Sequence, residues 1–234
     1  MNLSQTGFLL GELRRHLIML ILHQTIMLCH LSCIKDLCIF IDCGISFSKH
    51  IDYITRRAYQ RTYMIYKGFV SRDKIMLSKA YTTYVRPLLV YCTPIWSPTY
   101  VTDIVKIEKV QKYYTKRISS INNLSYKQRV QCLKLYSLEL RRLYFDMRMV
   151  YKIIHGLIDV AFDDLFTFSP NCSTRGHVYK LHCSKSNLNV RSHFFSQRCI
   201  TAWNSLSNEV VTAPSISIFN SRLHNVNFEK FLIM

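Results

Sequence analysis

The stretch Val101-Thr102-Asp103-Ile104-Val105-Lys106-Ile107-Glu108-Lys109-Val110-Gln111-Lys112-Tyr113-Tyr114-Thr115-Lys116-Arg117-Ile118 carries the clearest helical period in the chain. Stepping about 100° per residue, Ile104, Ile107, Val110, Tyr114 and Ile118 fall on one side and Lys106, Lys109, Lys112 and Lys116 on the other. The pattern predicts a helix that packs an apolar stripe inward and turns a lysine stripe outward. A lysine stripe is also what an ordinary solvated helix face presents, so its meaning depends on the rest of the chain.

The chain has 234 residues, enough for one large or two small domains with a real core. Apolar residues make up 49% and charged residues only 19%, which is a folding composition and not a disordered one. Six Gly and five Pro are too few for the turns of a sandwich or barrel, so long helices are expected. Thirty-one basic against fourteen acidic residues give a formal charge of +17, which predicts affinity for a polyanion. Nucleic acid is the commoner such partner and an anionic membrane surface the rarer one. Nine Cys, an odd number without a disulfide framework or a secretory signal, fit free thiols in a reducing compartment. The expected location is therefore intracellular, cytoplasmic or nuclear, and not secreted. The apolar run from Leu17 to Leu22 stops at His23, well short of the about 20 residues a membrane span needs, so no span is expected. A membrane-surface role led by residues 9–29 is the weaker alternative.

Other segments read locally. Leu37 to Ile41, bounded by Asp42 and Gly44, reads as a strand. Ser48 is placed to cap a helix from Lys49 to Gly68, with Ile51, Ile54, Ala58, Tyr63 and Ile65 as its apolar positions. Arg56, Arg57, Arg61 and Lys67 form its basic flank. A second helix is expected from Arg72 to Tyr91, carrying Leu77, Tyr81, Tyr84 and Leu88, with a kink or break at Pro87. Pro94 and Pro98 bracket a loop around Trp96. Ser137 to His155 predicts a further helix closed by Gly156, and Ser215 to Phe231 a last one. Trp96 and Trp203 are expected as core anchors. Of Tyr113 and Tyr114, beside Lys112, Lys116 and Arg117, only Tyr113 lies off the apolar stripe and is free to stack on a base.

The chain shows no nucleophile elbow, Gly-rich phosphate loop or H-E-x-x-H motif. Cys29, Cys33, Cys38 and Cys43 are regularly spaced but lack the C-x2-C knuckle of a zinc site. The scattered set Cys172, His177, His182, Cys183, His193 and Cys199 matches no metal spacing either. Buried thiols and polar histidines are the expected state, with no metal and no cofactor. Asp163-Asp164 reads as an acidic loop or helix start.

Several fragments then line up in order: Ile34 to Asp42, Ile45 to Ile51, Tyr81 to Pro98, Val110 to Ile118, Leu138 to Leu157, Thr174-Arg175-Gly176-His177, Arg191 to Arg198 and Thr201 to Leu206. Together they resemble the thumb and post-thumb region of reverse transcriptases of non-LTR retrotransposons, the jockey-like group especially. The resemblance covers about residues 33–225, and the family usually has Gly where Cys38 stands. The family's catalytic pair sits in an aromatic-Ala-Asp-Asp motif. Here Ala161-Phe162-Asp163-Asp164 reverses the order and follows helices that should come after the active site.

The resemblance implies a mainly α fold, a thumb-like helical bundle with a small β element near the N-terminus. Residues 1–32 read as a poorly defined apolar lead, and the resemblance implies a thumb-like region over 33–157 and a C-terminal extension over 158–234. It further implies a fragment with no catalytic residue that does not polymerise DNA by itself and whose parent protein supplies the polymerase domain upstream. The expected partner is RNA or DNA backbone, held without sequence preference by Arg56, Arg57, Arg61, Lys106, Lys109, Lys112, Tyr113, Lys116 and Arg117. The alternative is a translated retroelement remnant with no selected activity and an incomplete fold; a cooperative thermal transition would argue against it.

Overall fold

A computed structural model describes residues 33–42, 44–170, 176–185 and 189–233. The described chain is mainly helical, with one two-stranded antiparallel sheet near its start. It divides into two units, one of Cys33–Arg142 with Ile233, the other of Leu143–Leu232. The division falls inside a helix, at Arg142.

In the first unit, β1 (Cys33–Asp36) pairs with β2 (Ile39–Asp42), Asp36 facing Ile39 across a two-residue turn. Leu37 and Cys38 both take positive φ, 40° and 67°, as the tight hairpin turn matched to strand twist requires. Leu37 is thus in the turn and not in the strand. Cys38 occupies a left-handed position where the resembled family has glycine; a side chain there costs about 1–2 kcal/mol.

Helix α1 (Ser48–Gly68) follows Phe47, itself left-handed at φ 58°. Ser48 does not cap it. As the first helical residue, Ser48 donates its hydroxyl to Asp103 Oδ2 at 2.6 Å. Helix α2 (Lys74–Ala80) is capped instead by Asp73, which accepts from the Ile75 and Met76 N–H groups. A π-helical turn (Tyr81–Val85) joins it to α3 (Arg86–Val90). Pro87 has no N–H to give the preceding turn, and its ring would crowd the carbonyl four residues back. The wider π turn, in which the Arg86 N–H reaches Tyr81 O, relieves that crowding. The extra residue per turn also resets the buried face. Leu77, Tyr81, Val85 and Leu89 are buried, whereas Tyr84, expected inside, is 50% exposed.

The Pro94–Pro98 loop seats the fully buried Trp96, whose ring N–H donates to Tyr91 O at 2.7 Å. Helix α4 (Val101–Lys116) buries Ile104, Ile107, Val110 and Tyr114, and Ile118 beyond it, as the period predicts. Helix α5 (Tyr126–Cys132) opens on a capping box formed by Ser125 and Gln128. Beneath α4, buried Glu108 accepts from the Tyr126 hydroxyl and, at 2.9 Å, from the N–H of Leu138, the first residue of α6 (Leu138–Ile154). Burial raises the Glu108 carboxyl pKa, opposed by Tyr126 and by the charge of Arg142. This carboxylate caps a helix start from a distance.

Helix α6 is closed by Gly156, φ 62°, with the Gly156 and Leu157 N–H groups bonded to Ile153 O and Lys152 O, a Schellman closure. In the second unit five short helices follow, α7 (Asn189–Ser192), α8 (Phe195–Arg198), α9 (Ile200–Asn204), α10 (Asn208–Val211) and α11 (Ile216–Leu223). Ser215 caps α11, which stops eight residues before Phe231; a separate turn of 3-10 helix holds Glu229–Phe231. Its core is aromatic: Trp203 and Phe219 are fully buried, and Tyr151 stacks on Phe219 at 4.3 Å while donating to Ala213 O. Arg198 and Asp146 form a two-bond ion pair at 2.9 Å. Among the described residues no helix is long and apolar enough to cross a membrane.

Candidate nucleic-acid interface

Helices α1 and α4 pack side by side in the first unit, and their contacts fix their direction. Ser48 meets Asp103, Asp52 meets Lys106, Tyr59 meets Tyr113, and Tyr66 lies under Arg117. Both residue numbers climb together, so the helices run parallel and share a starting end and a finishing end.

At the starting end one cation is met by two carboxylates. Lys106 Nζ lies 2.9 Å from Asp52 and 3.2 Å from Asp103. Hydrogen bonds that Lys106 donates, to Asp52 first and Asp103 second, hold its pKa above the ordinary value. Lys106 therefore drops out of the outward lysine stripe as a free cation, held by Asp103 on its own helix and by Asp52, 54 residues away in α1.

At the finishing end the cations are held by neutral groups. Lys116 Nζ donates to Asn122 O at 2.7 Å, and an Arg72 Nη donates to Tyr66 O at 2.9 Å. The Arg117 guanidinium stands 4.7 Å from the Tyr113 ring and 5.5 Å from that of Tyr66. Tyr66 in turn donates its hydroxyl to Tyr114 O, which locks the ring between the helices. Lys67 is exposed in the last turn of α1. These cations line a cleft of about 580 Å³ with Tyr63, Ser119 and Asn122, and no Asp or Glu is among its described lining. The joint C-terminal dipoles of two parallel helices already favour cations there. Dipole compensation does not, however, call for open aromatic rings beside them. Tyr63 is 61% exposed, and Tyr59 and Tyr113 meet edge to face at 5.3 Å.

The structure thus sorts the residues named from sequence. Lys116, Arg117 and Tyr113 come together at the finishing end. Tyr113 is 40% exposed, with the Arg117 guanidinium standing at one side of its ring. Lys112 is half-buried with its ammonium 5.2 Å from the Tyr126 ring, and Lys109 is exposed. On α1, Arg56 shares the face opposite the core with Tyr63 and Lys67. Arg57 stands 5.8 Å from the Tyr53 ring on an adjoining face, and Arg61 is half-buried toward the core side. Tyr63, read as an apolar core position, faces out because it stands about 140° around the helix from buried Ala58. Tyr59 and Arg72 join the cluster without having been singled out for it. The spacing of Arg56, Tyr63 and Lys67, seven and four apart, was the signal for that face.

Among the described residues no group of three or more His, Cys, Asp or Glu is arranged to hold a metal. His177 is buried against Trp203 O, and Cys199 is a fully buried thiol whose pKa burial raises. Cys29, Cys43 and Cys172 lie outside the described residues. Asp163 and Asp164 sit exposed in a 3-10 turn, Phe162–Asp164.

No family model matches this chain, and no solved structure does. It is similar to an uncharacterized protein of Caenorhabditis elegans, 29% identical over 126 residues, which make up 53% of this chain and 64% of that protein. The chain therefore spans less than two thirds of that relative's length.

Proposed function

We propose that the chain is a non-catalytic C-terminal piece of a retrotransposon RNA-directed DNA polymerase that binds nucleic-acid backbone without sequence preference. The order of the family-like fragments supports the origin. The finishing end of α1 and α4 supports the binding, because Lys67, Arg72, Lys116 and Arg117 meet there with no carboxylate among the described residues of the cleft they line. Cations held by carbonyls and rings keep their full charge for phosphate. The aromatic-Ala-Asp-Asp motif is missing from the sequence, so the chain is read as binding and not polymerising.

Four phosphate contacts give a salt slope of about −3.6, so affinity for a short RNA–DNA hybrid should fall on the order of a hundredfold between about 50 and 200 mM salt. Exchanging the hybrid's sequence should leave affinity unchanged. Fluorescence anisotropy across a salt series reads both. Absence of binding at the lowest salt, or binding indifferent to salt, overturns the proposal.

A further inference from the structure

A second cleft of about 1110 Å³ adjoins the cationic one and shares Tyr63 and Lys67 with it. Tyr59, Gln60, Tyr63, Met64 and Tyr113 line this second space, again with no Asp or Glu among its described lining. One cleft is rich in cations and the other in ring faces, and the wall between them is a single tyrosine and a single lysine. Along α1, Tyr59, Tyr63 and Lys67 climb in steps of about 6 Å on neighbouring positions of one face. Arg117, 4.7 Å from the Tyr113 ring, brings a guanidinium to the aromatic side as well.

A duplex offers phosphates to the cationic cleft but nothing to the aromatic one, because its bases are stacked and paired inside. An unpaired nucleotide offers both: a phosphate for Lys67, Arg72, Lys116 and Arg117, and a base face for the open rings. We infer that the two clefts form one subsite for an unpaired nucleotide of a single-stranded segment, its phosphate in the cationic cleft and its base on Tyr63. This rests on the nucleic-acid reading above and narrows it from backbone in general to single strand at this end of the helix pair. Tyr63 is the most exposed tyrosine among the described residues and so the ring a base reaches first. Every base has a face to stack, so the subsite tolerates all four.

The test compares a mixed-sequence single strand, the same strand with abasic positions, and a duplex, each bound to the full chain at low salt. The intact single strand should bind more tightly than the other two. Tyr63→Ala should weaken it at least about fivefold and leave the duplex within about twofold. Tyr63→Phe, which keeps the ring, should retain the parent affinity. The side chain is exposed, so neither substitution threatens the core. Equal affinity for single strand and duplex, or an equal loss for both in Tyr63→Ala, overturns the unpaired-nucleotide subsite while leaving backbone binding standing. Failure of all three probes to bind overturns both.

Discussion

The two ends of the α1–α4 pair use the same residue types to opposite effect. At the starting end, Lys106 sits between Asp52 and Asp103, while Ser48 ties Asp103 back to α1. At the finishing end, Lys116, Arg117 and Arg72 lean on carbonyls and rings. The starting end joins two helices; the finishing end leaves charge available. A lysine stripe therefore does not act as a unit. What each lysine can do depends on which carboxylates the neighbouring helix brings to it.

The starting end should be the first to fail in acid. His50, 2% exposed, sits there with its ring edge-on to Trp96 at 4.8 Å and its Nδ1 accepting the Phe40 N–H at 3.4 Å. Burial lowers its pKa from 6.5 to about 4. The folded value lies below the unfolded one, so the unfolded chain binds more protons between these limits and stability falls as pH drops through that window. At about 1.4 kcal/mol per unit the loss reaches about 3 kcal/mol. Urea midpoints at pH 7 and pH 5 should show the fall, and His50→Gln should flatten it. An unchanged slope in that variant places the acid-sensitive group elsewhere.

The next largest effect should separate the two ends directly. Lys67→Ala with Arg117→Ala should weaken hybrid binding about tenfold to a hundredfold and make the salt slope shallower by about 2. Lys106→Ala should change affinity less than about twofold, since its charge is already met. Equal losses at both ends would show that net charge, and not local pairing, governs binding.

Much of this was legible in the sequence. The α4 stripe from Ile104 to Ile118, the burial of Trp96 and Trp203, and the closure at Gly156 follow from period, size and backbone chemistry acting locally. The errors share a cause. A regular helical period places Tyr84 inward, because it cannot show that Pro87 forces a π turn ahead of it. Tyr63 fits the apolar set of α1 by residue type, but its angle from Ala58 places it outside. Ser48 fits a cap by type, but the left-handed Phe47 ahead of it makes Ser48 the first helical residue. For Lys106 the sequence shows one partner, Asp103 three residues before it, but not Asp52, which tertiary packing alone brings near. The division within α6 was also illegible, because one unbroken helix supplies both units.

The smallest effect tests the pairing itself. The Asp52 side chain is 57% exposed and that of Lys106 44%, so their contact contributes little to stability and its removal should cost under about 1 kcal/mol. Asp52→Asn should nevertheless raise affinity for the hybrid about two- to threefold, by loosening Lys106 toward phosphate. Asp103 still holds Lys106 from its other side at 3.2 Å, which keeps the gain small. Removing a negative charge also strengthens the field of the whole chain, so the single variant does not isolate the pair. A double-mutant cycle does. If pairing is what silences Lys106, Asp52→Asn should have almost no effect once Lys106→Ala is in place. If it raises affinity by the same factor in both backgrounds, the two ends differ only in how much charge they carry and not in how it is held.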